Sequence, residues 1–246
     1  MRRVFISGEL QEEIKISGSD AHHIIHVLRG KVGQQLVVVD SLRQVAETEI
    51  IALAEDHLLL RLGKHLSADT EPPIEVTLAQ SLPKGDKMDF IVQKAVELGV
   101  SRIIPVVAAN CVVKYDAAKR VSRQKKWQKI ADEAAKQCGR TLQPVVERVM
   151  SLEEVLENSE EASLFMCYEG EADQPIREFF ASSEDSRFCV LVGPEGGFSP
   201  AEVALCRQND VQTVTMGPRI LRTETASLAA LSLLLYAKGD LGGRSK

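Results

Sequence analysis

The rhythm of apolar and polar positions changes once along this chain. Up to about residue 65 the apolar residues fall in short runs. Arg3 to Ile6, Leu36 to Val39, Gln44 to Leu53 and His57 to Leu62 predict strands, with turns at Asp40-Ser41 and Ala54-Glu55-Asp56. One helix interrupts them: Ser19 or Asp20 caps it, Ile24, Ile25 and Leu28 supply its buried face, and Gly30 ends it. Several short strands with a single helix predict a small β-barrel.

Ser67-Ala68-Asp69-Thr70-Glu71-Pro72-Pro73 breaks this pattern, because two prolines block both a helix and a central strand. We place a boundary there, giving domains at 1–71 and 74–246. Beyond it strands alternate with helices. Ile74 to Ala79, Arg102 to Ala108, Ser163 to Tyr168, Phe188 to Val192 and Val211 to Met216 predict strands. Asp86 to Leu98, Ser122 to Cys138, Leu152 to Glu157, Pro200 to Gln208 and Thr225 to Lys238 predict helices. Gly99 and Gly139 stop the first two. Such alternation predicts a mostly parallel sheet covered on both faces, an α/β fold.

Composition narrows the class. Of 246 residues 44% are apolar and 26% charged, so a core can form and general disorder is excluded. Aromatics are only 4%, so that core must be built from Leu, Val, Ile and Ala. The longest apolar-rich stretch, Ala226 to Ala237, is too short to span a bilayer and contains Ser227 and Ser232. The start of the chain has no apolar leader before Glu9, so no secretory signal is expected. Five cysteines, widely spaced and without a C-x-x-C pair, fit buried side chains in a reducing cytoplasm better than disulfides or a zinc ribbon.

The net charge of −5 does not by itself suggest a nucleic-acid partner, but its distribution does. Residues 1–80 carry 8 basic and 12 acidic side chains, 81–148 carry 14 and 7, and 149–246 carry 8 and 16. A basic middle between acidic flanks permits a local phosphate-binding face; a lysine-rich solvated helix would give the same count.

Two loops carry the candidate chemistry. Gly193-Pro194-Glu195-Gly196-Gly197-Phe198-Ser199-Pro200 follows an apolar strand and opens a helix, with Ser199 as N-cap, Pro200 at N1 and Glu202 at N3. Its three glycines allow close backbone approach to a ligand. Met216-Gly217-Pro218-Arg219-Ile220-Leu221-Arg222-Thr223-Glu224-Thr225-Ala226 again follows a strand and again opens a helix, here a nearly all-apolar one. Both loops lie at carboxyl ends of strands, where ligands bind in open α/β sheets. Arg222 and Glu224 at the mouth of a buried helix need partners, either a ligand or each other.

The chain has no G-x-x-x-x-G-K-[ST], no G-x-G-x-x-G after its first strands and no G-x-S-x-G. This argues against a P-loop NTPase, a Rossmann site and an α/β-hydrolase. His22 and His26 have metal-ligand spacing but no evident third ligand, so no metal is expected.

Gly-Pro-Glu-Gly-Gly-Phe-Ser at 193–199 and Gly-x-Arg-Ile-Leu-Arg-Thr-Glu-Thr-Ala at 217–226 resemble the RsmE family, the small-subunit ribosomal RNA uracil-N3 methyltransferases of the SPOUT (trefoil-knot) superfamily. His22-His23-Ile24-Ile25-His26-Val27-Leu28-Arg29, Lys84 to Asp89, Lys94 to Gly99, Lys126-Trp127, Glu133-Ala134 and Gln137 to Arg140 are similar to further family elements, in family order. Met216 stands where Leu is more usual.

The resemblance implies an N-terminal PUA-like β-barrel for RNA binding and a C-terminal α/β trefoil-knot methyltransferase domain. It implies a cytoplasmic homodimer that uses S-adenosylmethionine to methylate N3 of a specific uridine in 16S rRNA, within the 30S subunit, without a metal or a membrane. The cofactor would sit against Val192, Gly193, Pro194, Glu195, Gly196, Gly197, Met216, Gly217, Ile220, Leu221, Thr223 and Ala226. Arg222 would stabilise the uracilate or a phosphate. Glu224 would act as base or hold Arg222, and Gln137 and Arg140 would reach the base or the RNA backbone. Arg2, Arg3, His23, Arg29, Lys84 and Lys87, with some of Lys114, Lys119, Arg120 and Arg123, would dock RNA. Two other readings fit less of the motif set: a SPOUT enzyme acting on a ribose 2′-hydroxyl or a tRNA base, and a non-catalytic RNA-binding assembly factor.

Overall fold

The computed structural model describes residues 2–159 and 161–243, so the expected outer domain ends at residues 1 and 246 lie outside the described residues. The chain forms two compact units. One comprises the residues up to Glu71 together with Ala135–Gln143; the other comprises Pro72–Ala134 and the residues from Pro144 onward.

In the first unit, strands β1 (Arg3–Phe5), β2 (Glu13–Ser17), β3 (Gln35–Val39), β4 (Val45–Leu53) and β5 (His57–Leu66) form one sheet in the order β1-β3-β4-β5-β2. Only β1 and β3 pair in parallel. Strand β2 was not expected, although Glu13-Ile14-Lys15-Ile16-Ser17 alternates with period two and buries Ile14 and Ile16. These two join Val4, Ile24, Leu36, Val38, Ile50, Leu58 and Leu60 in the core.

The expected single helix to Gly30 is instead α1 (Gly18–His22) followed by a π-helical turn, His23–Val27. Leu28 N–H donates to the carbonyl five residues back, on His23, at 3.0 Å. The extra residue in that turn rotates Leu28 off the buried face, and its side chain is exposed.

Ala135–Gln143 carries a polar lock. Arg3 donates to the carbonyls of Gly139 and Arg140, the latter at 2.7 Å, capping a helix end. Lys136 pairs with Asp20 at 2.6 Å. The buried Arg140 guanidinium meets Glu71 at 2.6 and 3.1 Å, and the N–H groups of Thr141 and Leu142 donate to the same carboxylate at 2.7 and 3.1 Å. Burial alone would raise the Glu71 pKa; Arg140 and these two N–H groups outweigh it and hold the carboxyl below its ordinary range.

The second unit is a parallel α/β sheet. Its strands are β6 (Glu75–Ser81), β7 (Arg102–Val107), β8 (Val145–Val146), β9 (Met150–Ser151), β10 (Ser163–Cys167), β11 (Gln174–Pro175), β12 (Arg187–Val192) and β13 (Gln212–Thr215). They run in the order β11-β13-β10-β12-β6-β7-β8, with β9 also on β7, and every pairing is parallel. The helices are α2 (Lys87–Glu97), α3 (Ala117–Cys138), α4 (Leu152–Glu157), α5 (Ile176–Ser182), α6 (Pro200–Gln208) and α7 (Thr223–Ala237); the last turn of α3 counts with the first unit.

Helix α3 begins five residues before the expected Ser122, because the Asp116 carboxylate accepts from the Lys119 N–H at 2.7 Å and supplies the cap. Helix α5 was not expected. It is short, and its Phe179 and Phe180 pack on Phe165 of β10. Among the described residues no helix is long and apolar enough to cross a membrane.

Candidate active site

Strand order decides which loops meet. Because β10 lies between β12 and β13, the loops following β12 and β13 flank the end of β10. Together these three strand ends enclose a cavity of about 260 Å³. Val192 to Glu195 and Gly197 line it from the first loop, Met216 to Thr223 with Ala226 from the second, and Cys167, Tyr168 and Glu169 from the end of β10. Of the twelve residues expected to hold the cofactor, eleven line the cavity.

Gly196 does not, and serves as an anchor point. Asn110 donates to the carbonyls of Gly196 and Gly197 at 3.0 and 3.1 Å, which fixes the loop. A Cβ on Gly196 would lie 3.0 Å from that of Asn110. Gly197 has φ +65°, and a Cβ there would fall 2.0 Å from a Glu169 carboxylate oxygen. Only glycine fits this bend without strain. The loop ends in the expected cap: Ser199 Oγ accepts from Glu202 N–H at 3.3 Å and the Glu202 carboxylate accepts from Ser199 N–H at 2.8 Å.

A buried hydrogen-bond chain ties the two loops together. Thr223 Oγ1 donates to the Gly193 carbonyl at 2.7 Å and accepts from Gln80 Nε2 at 2.9 Å. Ser227 donates to Gln80 Oε1. Gln80 and Ser227 are fully buried and Thr223 nearly so, so each group needs its partner. Thr223→Val keeps the shape but strands the Gly193 carbonyl and a Gln80 N–H. We expect it to lower unfolding stability by about 2 kcal/mol in urea titrations, with weaker ligand binding at the cavity.

The charged residues sort into two groups. Lys87 pairs with Glu195 and with Glu224, each at 3.0 Å, so it is committed to carboxylates rather than open for RNA. Partial burial would raise the Glu224 pKa. Its own backbone N–H, Lys87 and the field of Arg222 hold it below the usual carboxylate range, and Glu195 is lowered in a similar way. Glu224 therefore holds Lys87; no Arg222–Glu224 ion pair forms. Arg222 itself is exposed at the cavity wall and meets no side-chain partner among the described residues.

The other expected site residues lie elsewhere. Arg140 belongs to the first unit, buried against Glu71, and is a structural ion pair rather than a group open to substrate. Gln137 lies in the last turn of α3, exposed. Arg3 is spent on capping carbonyls. Arg2 and His23 are half-buried; Arg29, Lys84, Lys114, Lys119 and Arg120 are exposed. Arg123 lies 5.7 Å over the Tyr115 ring. Among the described residues no three His, Cys, Asp or Glu side chains group as a metal site.

The comparisons with known proteins agree with this layout. A family model described as an RNA methyltransferase domain matches residues 70–235, and one described as an RNA methyltransferase PUA domain matches 16–63. Ribosomal RNA small subunit methyltransferase E of Bacillus subtilis (strain 168) is 35% identical over 254 aligned positions, covering 99% of each chain. The crystal structure of ribosomal RNA small subunit methyltransferase E from Neisseria gonorrhoeae, bound to S-adenosyl methionine, superposes with a TM-score of 0.84 at 29% identity, over 95% of this chain and 96% of that one. A putative methyltransferase from Legionella pneumophila, in complex with the same cofactor, gives a TM-score of 0.84 at 29% identity, over 96% and 97%. With a PUA-like first unit and a parallel α/β second unit, this chain belongs to the RNA methyltransferase family that includes ribosomal RNA small subunit methyltransferase E.

Proposed function

We propose that this protein transfers a methyl group from S-adenosylmethionine to N3 of a specific uridine in 16S rRNA. The observation that carries the reading is the cavity between two glycine-bearing loops, with Arg222 exposed at its wall and without an ion-pair partner among the described residues. Its lining combines Gly193, Gly197 and Gly217 with apolar Val192, Met216, Ile220, Leu221 and Ala226 and a few charged side chains. Gly217, at φ +129°, has open space where a Cβ would stand, and Gly197 keeps the loop clear beside Glu169. These features suit a nucleoside-bearing cofactor held by backbone contacts. When bound, S-adenosylmethionine supplies an electrophilic methyl on its sulfonium.

N3 of uracil bears a proton between two carbonyls and becomes nucleophilic as that proton leaves. Charge then spreads onto the ring oxygens. At the cavity wall the Arg222 guanidinium would stabilise that charge, and the two loops would orient the bound methyl donor toward the base. Glu224, tied to Lys87 and poorly basic, acts as a fixed anion rather than as proton acceptor. The proton passes to solvent as Arg222 stabilises the uracilate.

RNA docks through Arg2, His23, Arg29, Lys84 and the exposed cations of α3, by phosphate contacts that position without reading sequence. The substrate is 16S rRNA within the 30S subunit, in the cytoplasm. The protein works as a homodimer: exposed Phe90 on α2 and Leu233 and Tyr236 on α7 supply an apolar surface for a second copy. The non-sequential strand order suits a deep trefoil knot in the second unit.

The test is calorimetric titration with S-adenosylmethionine followed by transfer of a labelled methyl to 30S subunits. Saturable binding and labelled rRNA are expected. Absence of both would overturn the reading; binding without transfer to any RNA would favour an assembly factor.

A further inference from the structure

Lys87 is the first residue of α2, where a cation faces the positive end of the helix dipole. Its ammonium nevertheless sits 3.0 Å from Glu195 in the loop after β12 and 3.0 Å from Glu224 in the first turn of α7. The backbone N–H of Lys84 adds a 3.1 Å bond to Glu195. One side chain thus joins three separate segments, two of which wall the cavity. Without it two carboxylates would converge with no cation between them.

We propose that Lys87 is a positioning residue for methyl transfer: by clamping Glu195 to Glu224 it holds the two cavity loops at the spacing the cofactor requires. The inference rests on the proposed function for what fills the cavity; the clamp itself rests on the ion-pair geometry. Lys87 does not line the cavity, so it acts through the loops.

Arg222 contributes to the field at Glu224 from the start of α7, and Lys84 reaches Glu195 through its backbone. The Cys111 thiol also lies in the field of Glu195 and of Glu202. Asp89, within the same turn of α2 as Lys87, is taken up by Lys126 and by Trp127 Nε1 at 3.1 Å. In Lys87→Met, Glu195 and Glu224 are left facing one another. Two carboxylates sharing a site raise the pKa of one, so acid should relieve the repulsion. The pairs are partly solvated, which limits the expected loss of affinity to roughly tenfold.

The experiment measures S-adenosylmethionine affinity and methyl-transfer kcat from pH 5 to 8 for wild type, Lys87→Met, Lys87→Arg and the double variant Lys87→Met with Glu224→Gln, whose carboxylate does not line the cavity. Lys87→Met should bind weakly at pH 8 and recover towards pH 5, a trend the wild type lacks. Lys87→Arg and the double variant should recover most of the affinity at pH 8. A loss in Lys87→Met that is the same at every pH and is not repaired in the double variant would overturn the clamp, as would no loss. Amide exchange at 193–199 and 217–222 in cofactor-free protein reads the clamp separately. It should rise in Lys87→Met and fall back in the double variant. Failure of the wild type to bind cofactor would refute the function while leaving this exchange result to decide the clamp.

Discussion

Arg222→Ala is expected to lower the methyl-transfer rate by about 10²–10³-fold, the usual loss when one preorganised donor to a developing anion is removed. Affinity for S-adenosylmethionine should hardly change. Arg222 is the residue just before α7, and the helix uses its carbonyl, which accepts from Ala226 N–H at 2.7 Å; alanine keeps that bond. Among the described residues the side chain makes no hydrogen bond or ion pair and only adds to the field at Glu224. The loss should therefore fall on kcat in single-turnover transfer, the signature of an interaction made in the transition state. Arg222→Lys should recover only part of the rate, since an ammonium keeps the charge but not the planar fork. A variant with wild-type kcat, or one whose whole loss traces to weakened cofactor binding, would remove Arg222 from the chemistry.

Glu71→Gln is expected to cost about 3 kcal/mol of stability, because it removes the carboxylate charge that the buried Arg140 guanidinium and the Thr141 and Leu142 N–H groups share. The sign with pH follows from the lowered Glu71 pKa. A depressed carboxylate contributes stability that is present above its unfolded pKa, about 4.3, and is lost as pH falls through the folded value. The gap between wild type and variant should thus be full at pH 7 and close progressively below about pH 4.5. Urea unfolding at pH 7, 5 and 3.5 checks this; a gap that persists unchanged at pH 3.5 would contradict it.

Much of the fold was legible because its signals are local. The linker prolines, the glycine stops at Gly99 and Gly139, and the Ser199-Pro200-Glu202 cap each act within a few residues, and the elements they bound are present. Both glycine loops, which wall one cavity, were legible as bends for the same reason: a backbone that must turn sharply declares itself in its residue types. What was not legible depends on pairing between distant segments. Cys167, Tyr168 and Glu169 line the cavity only because β10 inserts between β12 and β13. Lys87 reads as a cation that docks RNA until folding brings it to Glu195 and Glu224. Arg140 reads as a cation at a helix end, available to substrate, until Glu71 is seen to occupy it. Strand β2 and the π-turn after α1 were missed for different reasons. The alternation of Glu13–Ser17 spans five residues beside a helix cap, and one inserted residue in a helix leaves no mark on composition.

The identity of the methylated atom decides the reaction. Wild-type protein, labelled S-adenosylmethionine and 30S subunits should yield, after complete nuclease digestion and chromatography, a single labelled nucleoside, N3-methyluridine. Label in a 2′-O-methyl nucleoside or in any other base would rule out transfer to uracil N3.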